Sequence, residues 1–316
     1  MSLVEKALRK LQTTRSTPEP SRREPTANQE ARHERPSAEP VAVTAARDES
    51  PAFDPHQHTS RVVKVDRERL LGLKMLPPKS QEREIATQFR SIKRPLVKYA
   101  QESLETNDPL KRTLMVASAL PGDGKTFTTV NLALSLALEM DMRVLLIDAD
   151  TPKRHLSQTL DLDNEPGLLD VVRDNGTRLE DVILPTDVPR LDVLPVGTRA
   201  ETATELVASV RMRETILRLA SLYKRGIVLF DSPPILLTNE SRSLASMLGQ
   251  IVLVVRAEAT PQRAVKDAVT ALGEGRRVSV VLNCADLTGV AGYYYGNRYG
   301  YGYGEDAHAA RAPKEE

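Results

Sequence analysis

The stretch Leu114-Met115-Val116-Ala117-Ser118-Ala119-Leu120-Pro121-Gly122-Asp123-Gly124-Lys125-Thr126 decides the fold. Its apolar first part predicts a buried strand, its middle a glycine-rich turn, and a helical pattern over Lys125–Glu139 follows directly. Strand, loop and helix in that order form a phosphate cradle. Gly122 and Gly124 let the backbone curl so that N–H groups face inward, and the helix N-terminus adds partial positive charge. Lys125 has the reach for β- and γ-phosphates, and the Thr126 hydroxyl suits Mg2+. The residues expected to bind the nucleotide are Pro121, Gly122, Asp123, Gly124, Lys125, Thr126 and Phe127. Ala119 stands where the pattern has its first glycine, a small replacement.

Outward from this stretch, apolar runs alternate with helical ones. The runs are Leu114–Leu120, Arg143–Asp150, Leu191–Val196, Ile227–Asp231, Ile251–Val255 and Val278–Leu282. Helical periodicity fits Ala86–Arg94 (where Pro95 interrupts), Lys125–Glu139, Thr204–Tyr223, Ser241–Leu248 and Gln262–Leu272. Short apolar runs read as strands buried on both faces, so the expected fold is α/β, a doubly wound, mostly parallel sheet of the P-loop NTPase kind. Two runs end in acids, Asp148-Ala149-Asp150 and Asp231-Ser232-Pro233-Pro234. Ligands of such sheets bind at the carboxyl ends of strands, so three carboxylates are expected to face the phosphates and their Mg2+.

The globular part is expected over residues 81–290. Residues 1–12 read as a short amphipathic docking helix, with Leu3, Val4, Ala7, Leu8 and Leu11 on one side. Residues 13–80, rich in Pro, Arg and Glu, read as a largely disordered linker in which His33, His56 and His58 are solvated. Residues 291–316 form a tail holding six of the eight tyrosines, Tyr293, Tyr294, Tyr295, Tyr299, Tyr301 and Tyr303. A nucleotide site and a rack of hydroxyls on one chain point to phosphorylation of the tail.

Composition narrows the classes. With 44 Lys+Arg against 43 Asp+Glu, the chain has no bulk charge for nucleic acid. A single cysteine, Cys284, excludes an internal disulfide, and its apolar setting predicts a buried structural thiol. No apolar stretch is long enough to span a bilayer and the N-terminus lacks a secretory h-region, so a reducing cytoplasm is the expected compartment.

Together the motifs resemble the bacterial tyrosine kinases of polysaccharide export, in particular stand-alone autokinases of exopolysaccharide and exosortase-linked loci. The resemblance covers roughly residues 82–304. It rests on Pro121 to Thr126, Asp148 with Asp150, Asp231 with Pro233 and Pro234, the stretch Ala203–Met212, Val281-Leu282-Asn283, and the tyrosine tail. Partitioning ATPases of the ParA/MinD type share the fold but carry a loop lysine where this chain has Ala119-Leu120. The resemblance implies ATP and Mg2+ as cofactors. It makes Lys125, Asp148, Asp150 and Asp231 catalytic, with Lys125 stabilising the transferred phosphoryl group and Asp150 orienting or deprotonating tyrosine. Thr126, Asp148 and Asp231 would serve the metal, and the six tail tyrosines would be phosphoacceptors, phosphorylated between subunits. Implied partners are a membrane-embedded co-polymerase activator, further copies of the chain in a ring, and a tyrosine phosphatase, which would hold the protein at the inner face of the plasma membrane.

Two departures stand out. The family's basic residue after the second aspartate is displaced, which leaves its role to Lys153 or Arg154. The family's ExxRxxR ring motif appears as Thr87, Arg90 and Lys93. Asn283 reads equally as an adenine contact or a structural cap.

Overall fold

The computed structural model describes residues 53–59, 61–174 and 176–285. The expected docking helix, most of the linker and the tail tyrosines lie outside the described residues. The strands are β1 (Thr113–Ser118), β2 (Arg143–Asp148), β3 (Leu184–Pro185), β4 (Leu191–Leu194), β5 (Gly226–Asp231), β6 (Gln250–Arg256) and β7 (Arg277–Asn283). They form one sheet in the order β3-β4-β2-β5-β1-β6-β7, parallel except for the short β3–β4 pair. From β1 the chain passes to β2 on one side and later to β6 on the other. The crevice of this doubly wound sheet therefore opens at the carboxyl end of β1.

The helices are α1 (Arg67–Gly72), α2 (Glu82–Thr106), α3 (Lys125–Ala137), α4 (His155–Thr159), α5 (Leu168–Arg173), α6 (Leu179–Val182), α7 (Ala203–Val207), α8 (Val210–Leu222), α9 (Asn239–Met247) and α10 (Gln262–Leu272). Alternate side chains of each central strand enter two cores. Met115, Leu145, Val228 and Leu253 pack with α5 and α8 to α10, while Leu114, Val144, Leu229 and Val252 pack with α1 to α4. The central strands β1 and β5 are buried throughout, as expected of parallel strands covered on both sides. β7 departs from that expectation: it is an edge strand, and Val280 and Leu282 are 57% and 58% exposed.

Three expected elements need correction. Pro95 does not end its helix, because α2 continues to Thr106. Phe89, Leu96 and Ala100 share its buried side, and Pro95 lies on the exposed side, so apolar burial carries the helix past the lost hydrogen bond. The run Thr204–Tyr223 is two helices, split where Ser209 caps α8 by accepting a hydrogen bond from the Met212 N–H at 3.1 Å. Cys284 is exposed with φ 55°, since the strand ends at Asn283 and the chain turns away from the sheet.

The largest correction concerns the linker. Its described residues from Phe53 to residue 80 belong to the folded body. Phe53 packs on Tyr223, whose hydroxyl donates to Asp192 at 2.9 Å, while Arg143 pairs with Asp192 and approaches Asp54. The Val63 N–H donates to the Pro185 carbonyl at 2.8 Å, and Asn131 Nδ2 holds the Met75 carbonyl at 2.8 Å. Val63, Leu70, Met75 and Leu76 are buried. These few apolar residues are scattered among polar ones, so they look like linker until the fold supplies a surface for each. Leu70→Ala should therefore lower stability by about 2–5 kcal/mol, the cost of a buried leucine, measured by urea unfolding; a linker residue would leave the midpoint unchanged.

Candidate functional site

The turn after β1 is held in shape from both sides. Gly122 and Gly124 have φ of 86° and 94°, which glycine alone adopts without strain. A Cβ on Gly124 would also run into the Asn283 amide. Asn283 Nδ2 donates to the Asp123 carbonyl at 2.9 Å, so its place in the structure is that of a loop clip. The Asp123 carboxylate is buried and satisfied by protein groups: it accepts from the Leu120 N–H at 3.0 Å and from Thr260 Oγ1 at 2.7 Å. Asp123 therefore shapes the loop with its side chain. Phe127 likewise packs its ring against Phe89 beside the core. No side chain caps the N-terminus of α3, which leaves its first N–H groups for an anion. Pro121 and Gly122 are exposed at the rim.

The three acids lie beneath the loop. Asp148 and Asp231 are register partners at the ends of β2 and β5, both fully buried. Lys125 Nζ sits 2.6 Å from Asp150 Oδ2 and 3.8 Å from Asp231 Oδ2. Thr126 Oγ1 donates to Asp231 Oδ2 at 2.9 Å. The structure thus brings Lys125, Thr126, Asp148, Asp150 and Asp231 together, as the sequence predicts. Burial opposes the Lys125 charge, but Asp231, Asp150 and Asp148 outweigh it and push its pKa up. Burial, reinforced by Asp231, raises Asp148 to about 7. Burial also raises Asp231, against the pull of Lys125. Two adjacent carboxylates out of water call for cationic charge.

Two holders of these acids escaped the sequence reading. Thr129 Oγ1 donates to Asp231 Oδ1 at 2.9 Å, and its spacing of three from Thr126 on one helix face is a signal that could have found it. Ser157 gives both its N–H and its hydroxyl to Asp148 Oδ2, at 2.7 and 2.8 Å, while the Asp150 N–H serves Oδ1 at 3.1 Å. Nothing in the local sequence marks Ser157. The displaced basic residue is also resolved. Arg154 is buried away from the acids, bonded to the carbonyls of Asp163 and Gly197. Lys153 keeps an exposed side chain and donates only its N–H to Asp150, at 3.2 Å. In the ring motif, Lys93 turns inward to Glu139 and the Ser135 carbonyl, both at 2.7 Å, which leaves Arg90 as its exposed cation.

Among the described residues no group of three or more acids, histidines and cysteines could hold a metal by itself, nor is any helix long and apolar enough to cross a membrane. The donor set still fits Mg2+, which takes one or two carboxylates and completes its shell with water and phosphate oxygens.

Comparison with known proteins agrees with this geometry. The AAA domain family matches residues 111–270. The tyrosine-protein kinase YwqD of Bacillus subtilis is 30% identical over 227 residues, which is 71% of this chain and 90% of that protein. EpsB of Ralstonia solanacearum is 34% identical over 198 residues, 60% of this chain; the chain spans only 26% of EpsB, about a quarter of its length. The kinase domain of the Escherichia coli tyrosine kinase ETK superposes with a TM-score of 0.51 at 26% identity, covering 66% of this chain and 79% of that one. A phosphate loop facing paired strand-end aspartates, on a sheet shared with these proteins, places the chain in the bacterial tyrosine-protein kinase family of P-loop proteins.

Proposed function

We propose that the protein is an ATP-dependent tyrosine autokinase whose substrate is the tail cluster Tyr293, Tyr294, Tyr295, Tyr299, Tyr301 and Tyr303, presented by a neighbouring copy. The observation that carries this reading is the Lys125–Asp150 pair at 2.6 Å. It joins the residue that would meet the γ-phosphate to the one that would meet the tyrosine. Thr126 and Asp148 would hold Mg2+, with Asp231 fixing Thr126. When bound, the ion would neutralise phosphate charge, which is the main requirement of phosphoryl transfer.

The residues act as follows. Phosphate oxygens compete with Asp150 for the Lys125 ammonium. As Lys125 moves to them, Asp150 loses its partner and becomes an acceptor. Asp150 then takes the proton of the tyrosine hydroxyl while the phenolic oxygen bonds to the γ-phosphorus. The bond from that phosphorus to the bridging oxygen breaks, and ADP leaves with the electron pair. Thr129 and Ser157 keep Asp231 and Asp148 from rotating out of place. The names of the relatives support tyrosine kinase activity; regulation of exopolysaccharide synthesis or export, with a membrane-embedded co-polymerase as activator, a phosphatase as antagonist and a place at the inner membrane face, is the part of this proposal that rests on the motif resemblance alone.

Three outcomes test this reading. Tandem mass spectrometry after incubation with Mg2+ and ATP should find phosphate on Tyr293–Tyr303 in the wild type and none in Lys125→Ala; an unmodified wild type, with the activator's cytoplasmic segment present, would leave an ATPase switch. Asp150→Asn should keep nucleotide affinity within a few-fold while kcat falls about 10²-fold or more, the usual size of a lost general base. The third outcome concerns pH. Asp148 has a folded pKa of about 7 against an ordinary 3.8. It binds its proton more tightly when folded, so its contribution to stability is full below about pH 4 and is lost as pH rises through 7. In metal-free buffer at pH 8, Asp148→Asn should be more stable than the wild type by a few kcal/mol, with the difference vanishing near pH 4 in urea titrations.

A further inference from the structure

Helix α4 is too short to hold itself. Its five residues, His155–Thr159, close little more than one turn, and a helix of that length has no stability of its own in water. Yet α4 carries Ser157, whose N–H and hydroxyl both donate to Asp148 Oδ2, at 2.7 and 2.8 Å. The same hydroxyl accepts from the Val196 N–H at 3.1 Å, so Ser157 joins the end of β2 to the chain just past β4. The precision of that contact depends on what anchors α4. Packing anchors it incompletely. Leu156 is buried, but beside it and Leu160 lies a cavity of about 20 Å3, lined also by Leu70, Leu134 and Val193. A void offers no contact on its side, so α4 has room to shift toward it.

A further anchor comes from the strap ahead of α2. Arg69, on α1, donates through Nη2 to the Gln158 carbonyl at 2.9 Å and through Nη1 to the Asp161 carboxylate. The last carbonyls of a helix lack partners within it, and cationic charge is favourable there. Arg69 answers both needs from 89 positions away in the sequence. The strap is itself secured. Asp66 caps α1 by accepting from the Glu68 and Arg69 N–H groups at 2.9 and 3.1 Å, the Val65 N–H donates to Asp187 at 2.9 Å, and Leu70 is buried. The ion pair with Asp161 counts for little, since that carboxylate is largely exposed. The bond to the α4 backbone is the one that bears on Ser157, the residue next to Gln158. We propose that Arg69 is a positioning residue for Asp148. It pins the C-terminal end of α4 and so keeps Ser157 against the carboxylate. The phosphate site is thus complete only with the strap, although the sequence alone starts the globular part at residue 81. This rests on the reading of Asp148 as a holder of Mg2+, and it can be tested without phosphoryl transfer.

The test compares the full-length wild type with Arg69→Ala and Arg67→Ala. Arg67 is also on α1 but pairs with Glu82 of α2, at 2.8 Å. In the nucleotide-free protein, hydrogen exchange over residues 155–162 should quicken about tenfold in Arg69→Ala, with β1 and β5 unchanged, and should match the wild type in Arg67→Ala. Calorimetric titration with ADP, in Mg2+ and in EDTA, should show the affinity gained from Mg2+ cut about tenfold by Arg69→Ala, the lower end of what losing a group behind a metal ligand costs. Affinity in EDTA should not change. Ser157→Ala should lose at least as much, and adding Arg69→Ala to it should cost nothing further, because both act through one contact. Additive losses in the double variant would overturn the proposal. So would unchanged exchange in Arg69→Ala, or faster exchange with an undiminished Mg2+ gain, which would make Arg69 a structural residue only. A wild type whose ADP affinity ignores Mg2+ would overturn it together with the metal role of Asp148. A tail that stays unphosphorylated beside the expected shifts would instead overturn the autokinase reading and leave this one standing.

Discussion

Two carboxylates side by side in a dry interior set the terms for everything around them. Asp148 and Asp231 are register partners on adjacent parallel strands, and neither is exposed to water. Such a pair is costly unless cationic charge and hydrogen-bond donors answer it. Lys125, the two threonines of α3, and Ser157 with the Asp150 N–H answer it here. The donors come from two stretches of chain, α3 and the segment from the end of β2 into α4, so the site is satisfied only when these meet the ends of β2 and β5. The same electrostatic demand suits the cleft to the proposed metal–nucleotide complex, whose cation and phosphates would redistribute these partners.

The loop above the acids is rigid for a separate reason. Asp123 is bonded to Leu120 and Thr260, and Asn283 to the Asp123 carbonyl. The phosphate cradle is thereby tied to the ends of β6 and β7. Asn283 is also the last strand residue before the segment that leads to the tyrosines. The binding loop and the end of β7 therefore share one hydrogen bond.

The strand–loop–helix core was legible because each of its signals is local. Glycine at positive φ, a lysine and threonine opening a helix, and acids closing apolar runs are all readable within a few residues. Thr129 was within reach of the same reasoning, as one face of one helix. Ser157 was not, because it meets Asp148 only through the turn between β2 and α4. The described part of the linker was misread because Val63, Leu70 and Met75 have no periodicity of their own and are buried only on surfaces made by distant residues.

The amino-acid sequence by itself determined the order of strands and helices, the phosphate loop and the acids at strand ends, since these follow from nearest-neighbour sterics and short-range apolar pattern. Tertiary structure decided which carboxylates became neighbours, which basic residues were spent inside the fold and which stayed outside. Arg154 and Lys93 look as available as Arg90 in the sequence, yet they are bound to the Gly197 carbonyl and to Glu139. The reason is that charge is satisfied through space, by groups that the chain brings together from far apart.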